Sequence, residues 1–157
     1  MKMFFILFIS IVTLGCGSLQ IASDSTIVEL PGMSKSQIYQ KSVQWITYRF
    51  VSGRAVIDYK NLSVGRVIAK GMVNIPLPMG SRVEVFMVAT IDAVNGKSKI
   101  VVEPTECAAI APNGARYPCT QFYTTGYEKD ILAKPEEFIE DYKNYMTGGK
   151  APAWDGK

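Results

Sequence analysis

Enzyme chemistry most often rests on a histidine, an activated cysteine or a pair of carboxylates, and this 157-residue sequence has no histidine. That removes the Ser–His–Asp triad, the Cys–His pair and the histidine metal site together. Acid–base work would fall to paired carboxylates with split pKa values. Asp58 and Asp92 lie in β-prone stretches, and Glu103 and Glu106 flank Pro104. None stands in a catalytic motif, and a lone strand carboxylate reads as a solvated face residue. Ser42 and Ser63 have no base in view. A calcium loop needs clustered Asp and Asn ligands, whereas the acids from Asp130 to Asp141 fall on a helix. The sequence therefore predicts no catalytic residue, no metal and no cofactor.

The three cysteines carry more information. Residues 1–15 read MKMFFILFISIVTLG, with Lys2 ahead of an apolar run from Met3 to Leu14. That run is too short for a membrane-spanning helix, which needs about 20 residues, and has the length of a signal-peptide core. Val12-Thr13-Leu14-Gly15-Cys16 resembles the lipobox of bacterial lipoproteins. The resemblance implies cleavage before Cys16, acylation of Cys16, and anchoring by acyl chains worth about 0.8 kcal/mol per buried methylene. In lipoproteins of Gram-negative bacteria an aspartate after the cysteine retains the protein at the inner membrane. Gly17 stands there instead, which implies the outer membrane, on its periplasmic side or surface. The alternative is a soluble periplasmic or secreted protein with a free Cys16.

Cys107 and Cys119 remain as an even pair, which usually bridges in an oxidising compartment. Pro112-Asn113-Gly114 is a turn signal at the centre of the interval, so that residue 110 faces 116 and 107 faces 119. A bridge closing this loop would stabilise by about 3 kcal/mol in the chain-entropy model.

The expected layout is a signal peptide over 1–15, an acylated N-terminus and tether over 16–25, one domain over 26–147, and a tail over 148–157. Residues 26–30 are β-prone. Ser34 caps a helix to about Phe50, with Gln37 completing a capping box and Met33 placed to staple onto Ile38. Ile38, Tyr39, Ser42, Val43, Trp45, Ile46 and Phe50 share its apolar side. Strands follow at 55–60, 66–75, 83–94 and 97–103, with Asn95-Gly96 suited to a type I′ hairpin turn. Residues 107–125 read as an irregular stapled segment. Pro135 then opens a second helix with an apolar stripe of Phe138, Ile139, Tyr142, Tyr145 and Met146. The order β-α-β-β-β-β, stapled loop, α predicts an α+β fold, with an antiparallel sheet backed by helices.

Ser34 opening a helix that carries Trp45, then Asp58, Gly65, Gly71 and the Asn95-Gly96 hairpin, form a pattern over about residues 26–107. It resembles the bacterial domain of unknown function with a TATA-box-binding-protein-like fold, common in small exported lipoproteins. The resemblance implies a curved antiparallel sheet backed by helices, and no activity. An exported domain does not meet genomic DNA, and fold does not carry function. Charge agrees: the net charge is +3 and falls to +2 when Lys2 leaves with the leader, so no nucleic-acid partner is expected.

Strand faces alternate. Val83, Val85, Met87, Ala89, Ile91 and Ala93 suit a core, as do Val67, Ala69, Val73 and Ile75. The opposite face then carries Ile68, Met72, Phe86 and Val88, unexpectedly apolar for a solvated surface. Either this is an open docking face, or residues 108–132 fold back and cover it. Tyr117, Phe122, Tyr123 and Tyr127 are further contact candidates, and Trp154 in the tail suits a lipid interface. The leading expectation is a lipid-anchored envelope protein that docks another envelope protein, with an inhibitor or exclusion factor as a variant. The alternative is a carrier of a small ligand or lipid, in a cavity lined by Trp45, Phe50, Met87 and Phe138.

Overall fold

A computed structural model describes residues 23–50, 56–119 and 128–149. Among the described residues six strands form one antiparallel sheet: β1 (Asp24–Glu29), β2 (Val56–Asn61), β3 (Arg66–Pro76), β4 (Arg82–Val94), β5 (Lys97–Ile110) and β6 (Arg116–Pro118). Their spatial order is β1-β5-β4-β3-β2, and β6 joins β5 beyond the end of β1. Two longer helices, α1 (Lys35–Arg49) and α3 (Lys134–Met146), pack on one face. The single-turn α2 (Glu128–Leu132) precedes α3. Among the described residues no helix is long and apolar enough to cross a membrane.

The helix α1 starts where the capping signals place it. Ser34 accepts from the Gln37 amide, and the Gln37 side chain accepts from the Ser34 amide. Its Ile38, Tyr39, Ser42, Trp45 and Ile46 are buried, while Val43 is half-buried. All five residues of the α3 stripe are buried. Every inward residue expected on β4 is buried, as are Val67, Ala69 and Ile75 of β3, with Val73 half-buried.

A hydroxyl chain crosses this apolar layer. The Tyr142 hydroxyl lies 2.9 Å from Ser42 Oγ and donates to Ser98 Oγ at 2.9 Å, and Ser42 donates to the Ile38 carbonyl at 2.8 Å. It ties α3, α1 and β5 together with its buried polar atoms satisfied.

Two expectations are corrected. The strand expected to end at Glu103 continues to Ile110, so residues 107–110 and 116–118 are paired strand within the segment read as irregular. Pro104 is tolerated because it sits at a β-bulge, where the register shifts between Phe86 and Met87, and past the last pair with β1. The Asn95-Gly96 turn is not type I′, because Gly96 has φ 79° while Asn95 lies outside positive φ. One positive φ, at the third position, is the requirement of a type II turn. The reason is tertiary. Asn95 Oδ1 accepts from the Lys35 amide at 2.8 Å, Gly96 donates to the Met33 carbonyl at 2.9 Å, and Leu30 donates to the Gly96 carbonyl at 2.7 Å. The hairpin thus caps the start of α1.

The staple has the expected register. Ile110 faces Arg116, and Cys107 is bonded to Cys119. The loop between is a turn closed by Gly114 donating to Ala111, followed by Gly114 itself at φ 82°. This is the three-residue hairpin loop with a glycine bulge.

Candidate functional site

Directly opposed strand residues share a face. Ile68 opposes Thr90, Lys70 opposes Val88 and Met72 opposes Phe86; Thr90 and Val88 in turn oppose Val101 and Glu103. The sheet therefore brings Ile68, Met72, Phe86 and Val88 together, with Val101 beside them, on the face away from α1 and α3. All five are half-buried. The described part of the 108–132 segment does not fold across them: β6 extends the sheet edge, and α2 adjoins α3. Ile27, on β1, is 58% exposed and opposes Lys99 at the flank of the same face.

Ion pairs ring this apolar centre. Arg66 reaches Asp92 with two hydrogen bonds, at 2.6 and 2.9 Å. That bonding, with the Asp92 charge, raises the guanidinium pKa still further. Lys70 lies 2.6 Å from Asp58, Arg82 lies 3.0 Å from Glu84, and Arg116 lies 3.4 Å from Glu106. The solvent-exposed pairs among them add little to stability, because water screens them. Their larger effect is to leave these four cations neutralised. The Arg116 guanidinium also stands 5.6 Å from the Phe86 ring centroid. Arg116 was not among the sequence candidates: it pairs with Ile110, which reaches this face only because the bulge at Pro104 shifts the alternation of β5. Glu84, on the same face, is only 4% exposed, a burial that strand alternation did not signal.

Tyr117 does not join the patch. It opposes Ala109, whose β4 partner is the inward Val83, so it belongs to the helix side of the sheet, where it is 39% exposed at the edge. Cys107 opposes the inward Val85, and Cys119 is buried, so the disulfide also lies on the helix side. Cys16, Phe122, Tyr123, Tyr127 and Trp154 lie outside the described residues.

The residues proposed to line a carrier cavity are packed against one another. Trp45 lies edge-on to Phe50 and Phe138 at 6.3 and 6.2 Å, Phe50 is 5.4 Å from Phe138, and Met87 is buried in the same core. Most of the side chains weighed for catalysis have structural partners, Glu106 with Arg116 among them. Asp58 and Asp92 are in the ion pairs above, Ser42 is buried in the hydroxyl chain, and Ser63 bonds Asn61. Among the described residues no cluster of Cys, Asp and Glu is arranged to hold a metal.

The family model for the domain of unknown function DUF4468, with a TBP-like fold, matches residues 25–103. The chain belongs to this family. The match spans β1 to the middle of β5, so the staple, α2 and α3 lie beyond it. A DUF4468 protein crystal structure from Bacteroides ovatus is similar, with a TM-score of 0.59 at 14% identity, over 83% of this chain and 88% of that one. A TBP-like protein from Parabacteroides distasonis gives a TM-score of 0.58 at 13% identity, over 82% and 94%. Likeness at this identity shows the DUF4468 fold alone. No curated protein matches the chain.

Proposed function

We propose that this DUF4468 protein is a lipid-anchored envelope protein that docks another envelope protein on the face of its sheet away from α1 and α3. One observation carries the reading: Ile68, Met72, Phe86 and Val88 form a contiguous apolar centre that neither long helix covers. Burying such a centre in a complex contributes roughly 25 cal/mol per Å2 of apolar area. The rim defines the partner's chemistry. With Arg66, Lys70, Arg82 and Arg116 each paired within the chain, and Lys99 offset by Glu103 on the same face, the face has little net charge to offer an anionic lipid or a nucleic acid. It suits an apolar, electrically neutral protein surface with a polar rim. Such binding changes little with salt, since screening acts on unpaired charge. An inhibitor or exclusion factor acting on an envelope receptor is one form this docking takes.

Anchoring at Cys16 and placement in the outer membrane rest on the lipobox-like Leu14-Gly15-Cys16 and on Gly17. Labelling with a palmitate analogue should mark the wild type and leave Cys16→Ser unmarked; label retained by the variant overturns the anchor. For docking, the acylated protein and a Phe86→Asp variant are compared by capture from envelope extracts. The variant should lose a partner that the wild type retains at high salt. Identical partner sets contradict the docking face.

A further inference from the structure

Two Asn-Gly pairs occupy tight turns, Asn95-Gly96 in the β4–β5 hairpin and Asn113-Gly114 in the stapled loop. In this dipeptide the glycine amide nitrogen can attack the asparagine side-chain carbonyl carbon, because no Cβ hinders the approach. The structure treats the two pairs differently. Asn95 Oδ1 holds the Lys35 amide, and Gly96 is bonded on both sides to the segment entering α1. Freeing Gly96 to react means undocking the N-terminal end of that helix from the sheet. Asn113 is exposed, its Oδ1 bonds only the nearby Ala115 amide, and Gly114 donates to Ala111 within the same turn. Opening that turn disturbs no packed element, and local openings of this kind need far less free energy than core ones.

We propose that Asn113 is a site of spontaneous deamidation and that the docking of α1 protects Asn95 from the same reaction. The Gly114 nitrogen bonds to Asn113 Cγ, the Cγ–Nδ2 bond breaks, and nitrogen leaves as ammonia after proton transfer. Water then opens the five-membered imide at either carbonyl, giving aspartate or isoaspartate. No oxidant or further reactant is needed. Either product places a new negative charge three residues from Arg116, whose guanidinium pairs with Glu106 and stands over Phe86. Ageing thus alters the rim beside the face away from α1 and α3, whatever that face binds.

The test incubates the folded mature protein, disulfide intact, in mildly alkaline buffer and follows both peptides by mass spectrometry. A reduced and denatured sample runs in parallel. In the folded protein Asn113 should convert at least about tenfold faster than Asn95, a gap that reflects local against cooperative opening. In the denatured chain the two should convert at similar rates. An unreactive Asn113, an Asn95 that keeps pace with it, or the same preference in the denatured chain would each overturn the proposal.

Discussion

Gly71 shows how one residue fixes the neighbourhood of the core. A Cβ built on it would fall inside the Phe50 ring, so the aromatic layer under β3 depends on the missing side chain. Gly71→Ala should destabilise by about 1–3 kcal/mol, the range for overpacking a core, as a lower urea midpoint with an unchanged slope. Tyr142 makes a different prediction. Burial raises its phenol pKa above the ordinary 10.0, against the lowering effect of its bonds to Ser42 and Ser98. The folded state holds the proton more tightly, so the stability from this group is complete below pH 10.0 and is lost as pH rises towards the folded value. Tyr142→Phe should cost about 1–2 kcal/mol at neutral pH for the lost hydrogen bonds. The gap from wild type should narrow in urea melts taken above that pH; a constant gap would contradict the assignment. Neither role was legible residue by residue. Gly71 stood out only through the family resemblance, and Tyr142 read as one more stripe residue, because a partner 44 or 100 positions away leaves no local pattern.

At the scale of elements, local chemistry was readable and long-range keying was not. Ser34 and Gln37 announce α1 because both halves of a capping box lie within four residues. Pro112-Asn113-Gly114, centred between two cysteines, fixed the register of β5 against β6. Asn95 misled as to turn type, since its geometry answers to α1, sixty residues earlier, and not to the hairpin alone. Pro104 misled as to strand length, since a bulge excuses a proline that a regular ladder rejects. The capping arrangement is testable. Ser34 serves the Gln37 amide and Asn95 serves the Lys35 amide, so they satisfy different donors of one helix end. Ser34→Ala and Asn95→Ala should each cost about 1 kcal/mol, and the double variant should cost nearly their sum. A double variant no worse than either single would show that the two groups do not cap independently.

For the whole molecule, alternation along β3 and β4 was enough to foresee an apolar patch on the second face, because period two is the one long-range rule that a strand writes into its own sequence. Alternation could not assign Tyr117, which depends on how β6 pairs, nor find Arg116 over Phe86. The described residues form a DUF4468 domain with α1 and α3 packed on one face of the sheet and ion pairs set around an apolar centre on the other. We propose that this second face is where the protein meets its partner. In-cell photocrosslinking can decide this, with a photoreactive residue at Val88 on the face away from α1 and α3 and another at Gln40 on the exposed side of α1. A discrete adduct with an envelope protein should form from Val88, be lost when Phe86→Asp is added, and not form from Gln40. The same adduct from both positions, or none from Val88, would contradict the proposal.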